Sequence, residues 1–298
     1  MTHPKAPLKF SIVIPVYNEI ETIRDILTLV QAQPRVGEII LVDDGSTDGT
    51  RSVLLEYAEH PLYRVIMKEK NEGKGAALSD GIQAATCDVV LIQDADLEYD
   101  PGDYESLIAP IEAGLADVVY GSRFQHGPRR VLNFRHGLGN KFLTCLSNWV
   151  TRLALTDMET CYKAFKRPII QNLELHSRRF GFEPEVTARI AQVGCTVYEV
   201  PISYYGRWYD EGKKITWKDG IAAMWHIVRA SWFEKPKFRD QDALRASLTR
   251  ETTLGQRLAI LRAAEATTPN APATTVSSEA EHSAESTASL ETASPSQN

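Results

Sequence analysis

The chain has 298 residues, 43% hydrophobic and 24% charged, which is ordinary for a soluble globular protein with one large or two small α/β domains. Its net charge of −6 comes mostly from five glutamates after Arg262, so residues 1–262 are nearly neutral and nucleic-acid binding gains no support. No apolar run approaches the roughly 18 residues that span a bilayer, and neither a signal-peptide core nor a Cys-x-x-Cys pair occurs. The sequence therefore predicts a reduced protein of the cytoplasm.

Short apolar runs alternate with helical patterns along the first two thirds of the chain. Predicted strands occupy residues 10–15, 39–42, 64–67, 89–92, 117–121 and 196–201. The spacing after Glu21 predicts a helix whose apolar face carries Ile23, Ile26, Leu27 and Val30. Further helices are predicted near 51–59 and after Gly75. This alternation predicts an α/β fold with a mostly parallel central sheet covered on both faces.

Three acidic residues follow the fourth predicted strand, in the sequence Asp94-Ala-Asp96-Leu-Glu98. In a regular strand Asp94 and Asp96 point to one face, and Glu98 extends the set, so we expect three carboxylates to converge there. Converging carboxylates need a cation, and hard oxygen ligands favour Mg²⁺ or Mn²⁺ completed by substrate phosphates. The alternative is a solvated acidic turn that binds no metal.

Polar clusters also follow the first two predicted strands, as Tyr17-Asn18-Glu19 and Asp43-Asp44. Ligands of parallel sheets bind beyond the carboxyl ends of the strands, and these ends lie at one edge. Three successive strands that end in polar clusters favour one ligand site over three separate turns.

The three clusters lie in the motifs Val13-Ile-Pro-Val-Tyr-Asn-Glu19, Val42-Asp-Asp-Gly-Ser-Thr-Asp48 and Asp94-Ala-Asp96. Three further motifs are Asn71-Glu-Gly-Lys-Gly-Ala76, Gly121-Ser-Arg123 and Arg207-x-x-x-x-Gly-Lys-Lys214. With them the sequence resembles the family 2 glycosyltransferases of GT-A fold, in the branch similar to dolichol-phosphate mannose synthase, over roughly residues 10–220. The resemblance implies transfer of a hexose from a nucleoside-diphosphate sugar, GDP-mannose or UDP-glucose, with inversion and with Mg²⁺ or Mn²⁺.

The same resemblance implies roles for individual residues. The nucleoside would be held by Pro15, Tyr17, Glu19 and Asp44. The donor phosphates would meet Lys74, Asp94, Arg207 and Lys214. The metal ligands would be Asp94, Asp96 and Glu98. We expect the catalytic residues to be Asp96, Arg123 and Asp157, the last of these from the residues of this chain and not from the resemblance.

The segment from Val118 to Thr156 contains no Asp or Glu but several cations. An acid-free basic stretch favours an anion-binding patch, although any single Arg there has solvated surface charge as its alternative. A polyprenyl phosphate acceptor fits such a patch, with its phosphate at Arg123, Arg130 and Arg135. A phosphate acceptor needs no general base, whereas a sugar hydroxyl does. Asp157 and Glu159 remain open as bases, with a structural loop acid as the alternative for Asp157.

Two other function classes are compatible with paired carboxylates on an α/β frame. A nucleotidyltransferase would form a nucleotide sugar and release pyrophosphate, but the chain lacks an early glycine-rich, Arg- or Lys-bearing nucleotide loop. A non-catalytic nucleotide-sugar-binding protein would keep Asp43 and Asp44 yet show no turnover, and the acidic metal set argues against it.

The sequence divides into a lead of residues 1–9, a GT-A domain of 10–235, a helical extension of 236–266 and a disordered tail of 267–298. Within the predicted helix at 221–233, Trp225 and Trp232 are expected either to pack on the domain or to rest at a membrane interface. The second alternative suits a peripheral enzyme at the inner face of a membrane.

Overall fold

The computed structural model describes residues 6–125, 134–179, 181–206, 217–234 and 237–249. One seven-stranded sheet forms its centre, with the strand order β3-β2-β1-β4-β6-β5-β7. The strands are β1 (Phe10–Val16), β2 (Val36–Asp43), β3 (Tyr63–Met67), β4 (Val89–Ile92), β5 (Val118–Ser122), β6 (Lys163–Lys166) and β7 (Val197–Pro201). All neighbouring strands pair in parallel except β6, which runs antiparallel to both β4 and β5.

The predicted α/β class and mostly parallel sheet are confirmed. Central strands are buried on both faces, and this explains why β4 and the middle of β1 read as continuous apolar runs rather than as alternating patterns. Strand β6 was missed by the sequence analysis, because its four residues Lys-Ala-Phe-Lys carry a charge at each end and show no strand signature.

Nine α-helices cover the sheet in the described parts of the chain. They are α1 (Ile23–Gln31), α2 (Thr50–Leu55), α3 (Lys74–Ala84), α4 (Tyr104–Glu112), α5 (Phe134–Thr151), α6 (Arg167–Asn172), α7 (Phe182–Val193), α8 (Trp217–Val228) and α9 (Gln241–Ser247). A π-helical segment, Arg229–Phe233, continues α8. The four apolar residues predicted to share a face of α1 are all buried, which confirms that pattern.

Part of the predicted C-terminal extension packs on the domain. Arg239 donates its backbone N–H to Asn172 O at 3.1 Å, and Lys166 Nζ lies 2.7 Å from Thr249 Oγ1. These contacts join residues 237–249 to α6 and β6. The predicted disordered tail of residues 267–298 lies outside the described residues. No described helix is both long enough and apolar enough to cross a membrane.

Candidate active site

The loop after β1 is tied to the loop after β2 at the carboxyl edge of the sheet. Asn18 donates its backbone N–H to Ser46 Oγ at 3.0 Å and accepts from the Thr47 N–H at 2.8 Å. The Glu19 N–H donates to Thr50 Oγ1 at 3.0 Å. These bonds hold Asn18 at a φ of 54°, a left-handed conformation that Asn tolerates better than most residues. The two loops therefore form one rigid wall.

The structure brings the residues predicted to hold the nucleoside to this wall. Pro15 lies opposite Val42 in the β1–β2 register and is half-buried, whereas Tyr17 is exposed. Glu19 is half-buried and accepts a hydrogen bond from the Thr22 hydroxyl at 3.2 Å. The exposed Tyr17 ring beside polar loops is suited to stack on a planar base.

Asp44 anchors the glycine-rich loop that leads into α3. Its buried carboxylate accepts the backbone N–H of Glu72 at 3.0 Å and that of Gly73 at 2.7 Å. A carboxylate offers about four acceptor positions, so these two bonds leave capacity for a ligand. The sequence analysis missed this anchoring role, since residues 44 and 72 are far apart along the chain.

The glycines of this loop allow a close approach, and the structure identifies one approaching group. A Cβ on Gly73 would clash with Arg178 O, and a Cβ on Gly75 would clash with Ser177 O. Gly73 also has a φ of 101°, which side chains rarely adopt. The Ala76 N–H donates to Arg178 O at 3.2 Å. The N-terminus of α3 is thus fixed against residues 177–178, and a donor phosphate at the loop stays a prediction.

Lys74 joins two carboxylates at the floor of the site. Its Nζ lies 2.8 Å from Asp94 Oδ1 and 3.5 Å from Glu183 Oε1. Burial by itself lowers the pKa of Lys74, but Asp94, Cys161 and Glu183 raise it more, so the net pKa lies well above its ordinary value. The ammonium therefore remains charged. The structure thus brings Glu183, in the first turn of α7, to Lys74.

The three carboxylates after β4 do not converge as the strand spacing predicted. β4 ends at Ile92, and Leu97 has a φ of 60°, so the alternation of a regular strand does not extend to Asp94, Asp96 and Glu98. The Glu98 carboxylate accepts from the Tyr204 hydroxyl at 2.7 Å. Within the described residues, no group of three or more His, Cys, Asp or Glu side chains is arranged to hold a metal ion.

Asp94 and Asp96 still have the donor chemistry of a metal site that is shared with substrate. Mg²⁺ is commonly bound by one or two carboxylates plus substrate phosphates, and an all-protein cage is not required. The Lys74 ammonium contacts both oxygens of Asp94, at 2.8 and 3.0 Å, and so balances part of the negative charge at this carboxylate. These residues fit a divalent cation that is completed by a diphosphate.

Arg123 and Asp157 form a buried bidentate ion pair. Arg123 Nε donates to Asp157 Oδ2 at 2.6 Å, and Nη2 donates to Oδ1 at 2.7 Å. Oδ2 also accepts the Arg123 backbone N–H at 3.0 Å, and Oδ1 accepts from Asn140 Nδ2 at 3.1 Å. Asp157 is fully buried, and each of its two oxygens accepts two hydrogen bonds. No sequence signal pointed to Asn140, which lies 17 residues from both Arg123 and Asp157.

This pairing keeps Asp157 ionised and occupied. Burial by itself raises the pKa of Asp157, but the charge and hydrogen bonds of Arg123 and Asn140 lower it more, so the net pKa lies below its ordinary value. A carboxylate with four donors and a lowered pKa is poorly suited to take a proton from a substrate hydroxyl. The geometry favours the structural alternative for Asp157, with Arg123 as the group that it orients.

The Arg123 guanidinium also faces aromatic rings. Its central carbon lies 5.1 Å from the centroid of Tyr204 and 5.8 Å from that of Phe124. Tyr204 thereby contacts both Arg123, which follows β5, and Glu98, which lies in the loop after β4. The sequence analysis missed Tyr204, because only tertiary packing brings it to the site.

Glu159 has an unusual environment next to this ion pair. Within the described part of the chain, its buried Oε1 has no hydrogen-bond partner. Burial and the Glu183 carboxylate raise the pKa of Glu159 to about 8. Glu159 is therefore mostly protonated at neutral pH, and it loses this proton as the pH rises through about 8.

Several predicted site residues cannot be placed. Arg130, Arg207 and Lys214 lie outside the described residues. Arg135 lies on α5, but its side chain is also outside the described part. Their assignment to the donor diphosphate or to the acceptor phosphate stays a prediction.

Comparison with known families and curated proteins gives concordant matches. The family described as glycosyl transferase family 2 matches residues 11–173. Undecaprenyl-phosphate mannosyltransferase of Micrococcus luteus is 30% identical, over 73% of this chain and 96% of that protein. Glycosyltransferase AglJ of Haloferax volcanii is 28% identical over 66% of this chain, and undecaprenyl-phosphate 4-deoxy-4-formamido-L-arabinose transferase of Salmonella choleraesuis is 30% identical over 70% of it. The match spans 63% of the length of each of these two proteins.

Solved structures confirm the fold. Glucosyl-3-phosphoglycerate synthase from Mycobacterium tuberculosis, in complex with Mn²⁺, uridine diphosphate and phosphoglyceric acid, superposes with a TM-score of 0.60. The superposition covers 78% of this chain and 81% of that one, at 20% sequence identity. At this identity the likeness concerns the fold alone.

Proposed function

Since this chain belongs to glycosyl transferase family 2 and is a glycosyltransferase, we propose that it moves a hexose from a nucleoside-diphosphate sugar to a polyprenyl phosphate, with inversion at the anomeric carbon. The observation that carries the choice of acceptor is the Arg123–Asp157 pair. It leaves a fixed guanidinium at the site and withdraws Asp157 from base catalysis. The names of the Micrococcus and Salmonella relatives, both transferases of undecaprenyl phosphate, support the same acceptor class.

The donor would lie against the wall made by the β1 and β2 loops. Pro15, Tyr17 and Glu19 would hold the nucleoside, and Asp44 would use its remaining acceptor positions on the ribose or base. The M. luteus relative is named a mannosyltransferase, and the M. tuberculosis structure contains uridine diphosphate. GDP-mannose and UDP-glucose therefore both remain candidate donors.

Asp94 and Asp96 would hold a Mg²⁺ or Mn²⁺ ion together with the donor diphosphate. The ion would stabilise negative charge on the departing nucleoside diphosphate. Lys74 would stay beside Asp94 and keep this carboxylate oriented, because its ammonium also lies 3.5 Å from Glu183. Lys74 would also meet a donor phosphate, in agreement with the charge that its raised pKa preserves.

Arg123 would orient the acceptor. Its pair with Asp157 uses Nε and Nη2, so a phosphate would be met by Nη1. A phosphate oxygen is ionised near neutral pH and attacks without transfer of a proton, so the site needs no general base for this acceptor. Arg130 and Arg135 would add positive charge. We expect the enzyme to work at the cytoplasmic side of a membrane, where a polyprenyl phosphate exposes its head group.

Glu159 supports a second candidate, transfer to a sugar hydroxyl during glycan synthesis. The ionised form of Glu159, which predominates above pH 8, is a stronger base than an ordinary carboxylate, and its Oε1 has no hydrogen-bond partner within the described residues. Under this alternative Glu159, and not Asp157, would be the base.

A turnover assay tests the proposal. Purified protein would be incubated with Mg²⁺ or Mn²⁺ and radiolabelled UDP-glucose or GDP-mannose, with and without a short-chain polyprenyl phosphate. We expect label in the organic phase with one donor, and its loss when EDTA is added. Two results together would favour the hydroxyl alternative. The donor would be hydrolysed without labelling the lipid, and the wild-type protein but not Glu159→Gln would transfer the sugar to a glycan.

A further inference from the structure

Helix α5 turns its most apolar face to solvent. Phe134, Leu138, Phe142 and Trp149 are all exposed, and their spacing of four, four and seven residues places them on one side of the helix. The buried and half-buried positions include polar residues, namely Asn140, Thr144, Ser147, Asn148 and Thr151. A surface helix of a globular domain normally has the reverse arrangement, with its polar face outward.

The π-helical segment after α8 extends this exposed surface. Trp232 and Phe233 are exposed, and the Trp232 ring packs edge-on against that of Trp149 with centroids 5.4 Å apart. We call Phe134, Leu138, Phe142, Trp149, Trp232 and Phe233 the aromatic face. A contiguous exposed apolar patch of this kind marks an interaction surface.

Charge on the aromatic face indicates the kind of partner. Lys141 is exposed on the same side of α5 as Phe134 and Leu138, and Arg152, the residue after the helix, is also exposed. No Asp or Glu occurs between residues 118 and 156, so nothing along α5 neutralises them. In a symmetric contact between two copies the same patch meets itself, which would bring like charges together. Aromatic residues interleaved with Lys and Arg instead match the interfacial region of an anionic bilayer.

The opposite side of the same helix contacts the active site. Asn140 accepts from Arg123 Nη2 at 3.3 Å and donates to Asp157 at 3.1 Å. The aromatic face is therefore separated from the acceptor arginine by about one helix diameter, roughly 10 Å. A bilayer against this face would hold a lipid head group next to the site.

We propose that the aromatic face docks the enzyme on an anionic lipid bilayer and so brings membrane-embedded acceptor to Arg123. The proposal rests on the lipid-phosphate acceptor of the proposed function for its purpose, but the docking itself is independent of any acceptor. Docking inserts the aromatic side chains at head-group depth, while Lys141 and Arg152 meet anionic head groups.

Vesicle co-sedimentation with matched variants tests this proposal. Leu138 and Leu55 are both 58% exposed and both lie on helices, but Leu55 is on α2 and not on the aromatic face. The full-length protein should bind vesicles of phosphatidylcholine with phosphatidylglycerol more tightly than vesicles of phosphatidylcholine alone. Leu138→Gln should lower the vesicle–water partition coefficient of the protein about tenfold, because the variant inserts less apolar area into the bilayer. Leu55→Gln should leave this coefficient unchanged.

A label on the native chain gives a second readout that needs no variant on the aromatic face. Cys145 is exposed on α5, whereas Cys161 and Cys195 are buried and Cys87 is half-buried. An environment-sensitive thiol dye on Cys145 should shift its emission to the blue when anionic vesicles are added. The variant Cys145→Ser, labelled in the same way, is the control for dye that reacts with the half-buried Cys87. It should show no shift.

These vesicles contain no polyprenyl phosphate, so the result stands whether or not transfer to a lipid phosphate is observed. Equal binding by Leu138→Gln and Leu55→Gln, or no binding of the wild-type protein to either vesicle type, would overturn the proposal. A concentration-dependent dimer that Leu138→Gln dissociates would also overturn it, because the aromatic face would then belong to a second copy of the chain.

Discussion

Replacement of Asp157 by Asn separates the two alternatives for this residue. The substitution keeps the side-chain shape but removes the charge that faces Arg123, and it puts an amide N–H₂ where two donors now converge. Asp157 is fully buried and Arg123 nearly so, so solvent screens their interaction little. Removing one partner of such a pair costs about 3–5 kcal/mol. We therefore expect the midpoint of thermal unfolding to fall by about 5–15 °C.

The kinetic expectation follows from the same geometry. Asp157→Asn should raise the KM for the lipid-phosphate acceptor about tenfold, through misorientation of Arg123, while the pH dependence of kcat keeps its shape. If Asp157 were the general base, kcat would fall by about 10²–10⁴ and the acidic limb of the pH profile would disappear.

Asp117→Asn is a matched control for this experiment. Asp117 is a fully buried aspartate that pairs with Lys166 at 2.8 Å and accepts the backbone N–H of Thr196 at 2.9 Å. It lies just before the first residue of β5, at the opposite end of this strand from Arg123. We expect a comparable loss of stability and an unchanged acceptor KM. Unaltered stability of Asp157→Asn would refute the reasoning about the buried pair, and loss of the acidic limb would refute the structural role.

Three further predictions concern other parts of the site. Asp96→Asn should abolish metal-dependent transfer without altering the unfolding midpoint, as measured by turnover and thermal denaturation, and full activity would exclude Asp96 as a metal ligand. Glu159→Gln should flatten the pH dependence of stability. The pKa of Glu159 in the folded protein, about 8, lies above the ordinary pKa of Glu, so the wild-type protein loses stability as the pH rises from about 5 to 8. Unfolding midpoints measured in buffers across this range would keep their wild-type slope if the assignment is wrong. Gly75→Ala should destabilise the fold by about 1–3 kcal/mol and weaken donor binding, because its Cβ would clash with Ser177 O. Urea unfolding and donor titration measure the two effects, and wild-type values in both would show that the loop can shift.

Much of the sheet could be predicted from local sequence, because its strands are buried on both faces and read as apolar runs. The run from Val89 to Ile92 is an example, since all four residues are buried and the predicted bounds are those observed. β6 could not be predicted in this way. Its identity as a strand comes from its antiparallel pairing with both β4 and β5, which no local pattern in Lys163–Lys166 announces.

The site shows a similar division. The polar clusters at the ends of β1, β2 and β4 were predicted to meet at one edge, and the geometry of Asp44 and Lys74 follows from contacts with residues distant in sequence. The expected convergence of Asp94, Asp96 and Glu98 was wrong, because the chain leaves the strand at Ile92 and strand spacing no longer applies. The acid-free interval ends one residue before Asp157, and this next acid is the partner of the interval's own Arg123.

Two acceptors that differ only in the attacking group distinguish a phosphate acceptor from a hydroxyl acceptor. A short-chain polyprenyl phosphate and the corresponding polyprenol would be offered separately with the same radiolabelled donor and divalent metal. We expect labelled lipid from the phosphate and none from the alcohol, because Arg123 would orient an anion and its ion pair keeps Asp157 from acting as a base. Labelled product from the polyprenol at a comparable rate would contradict this expectation.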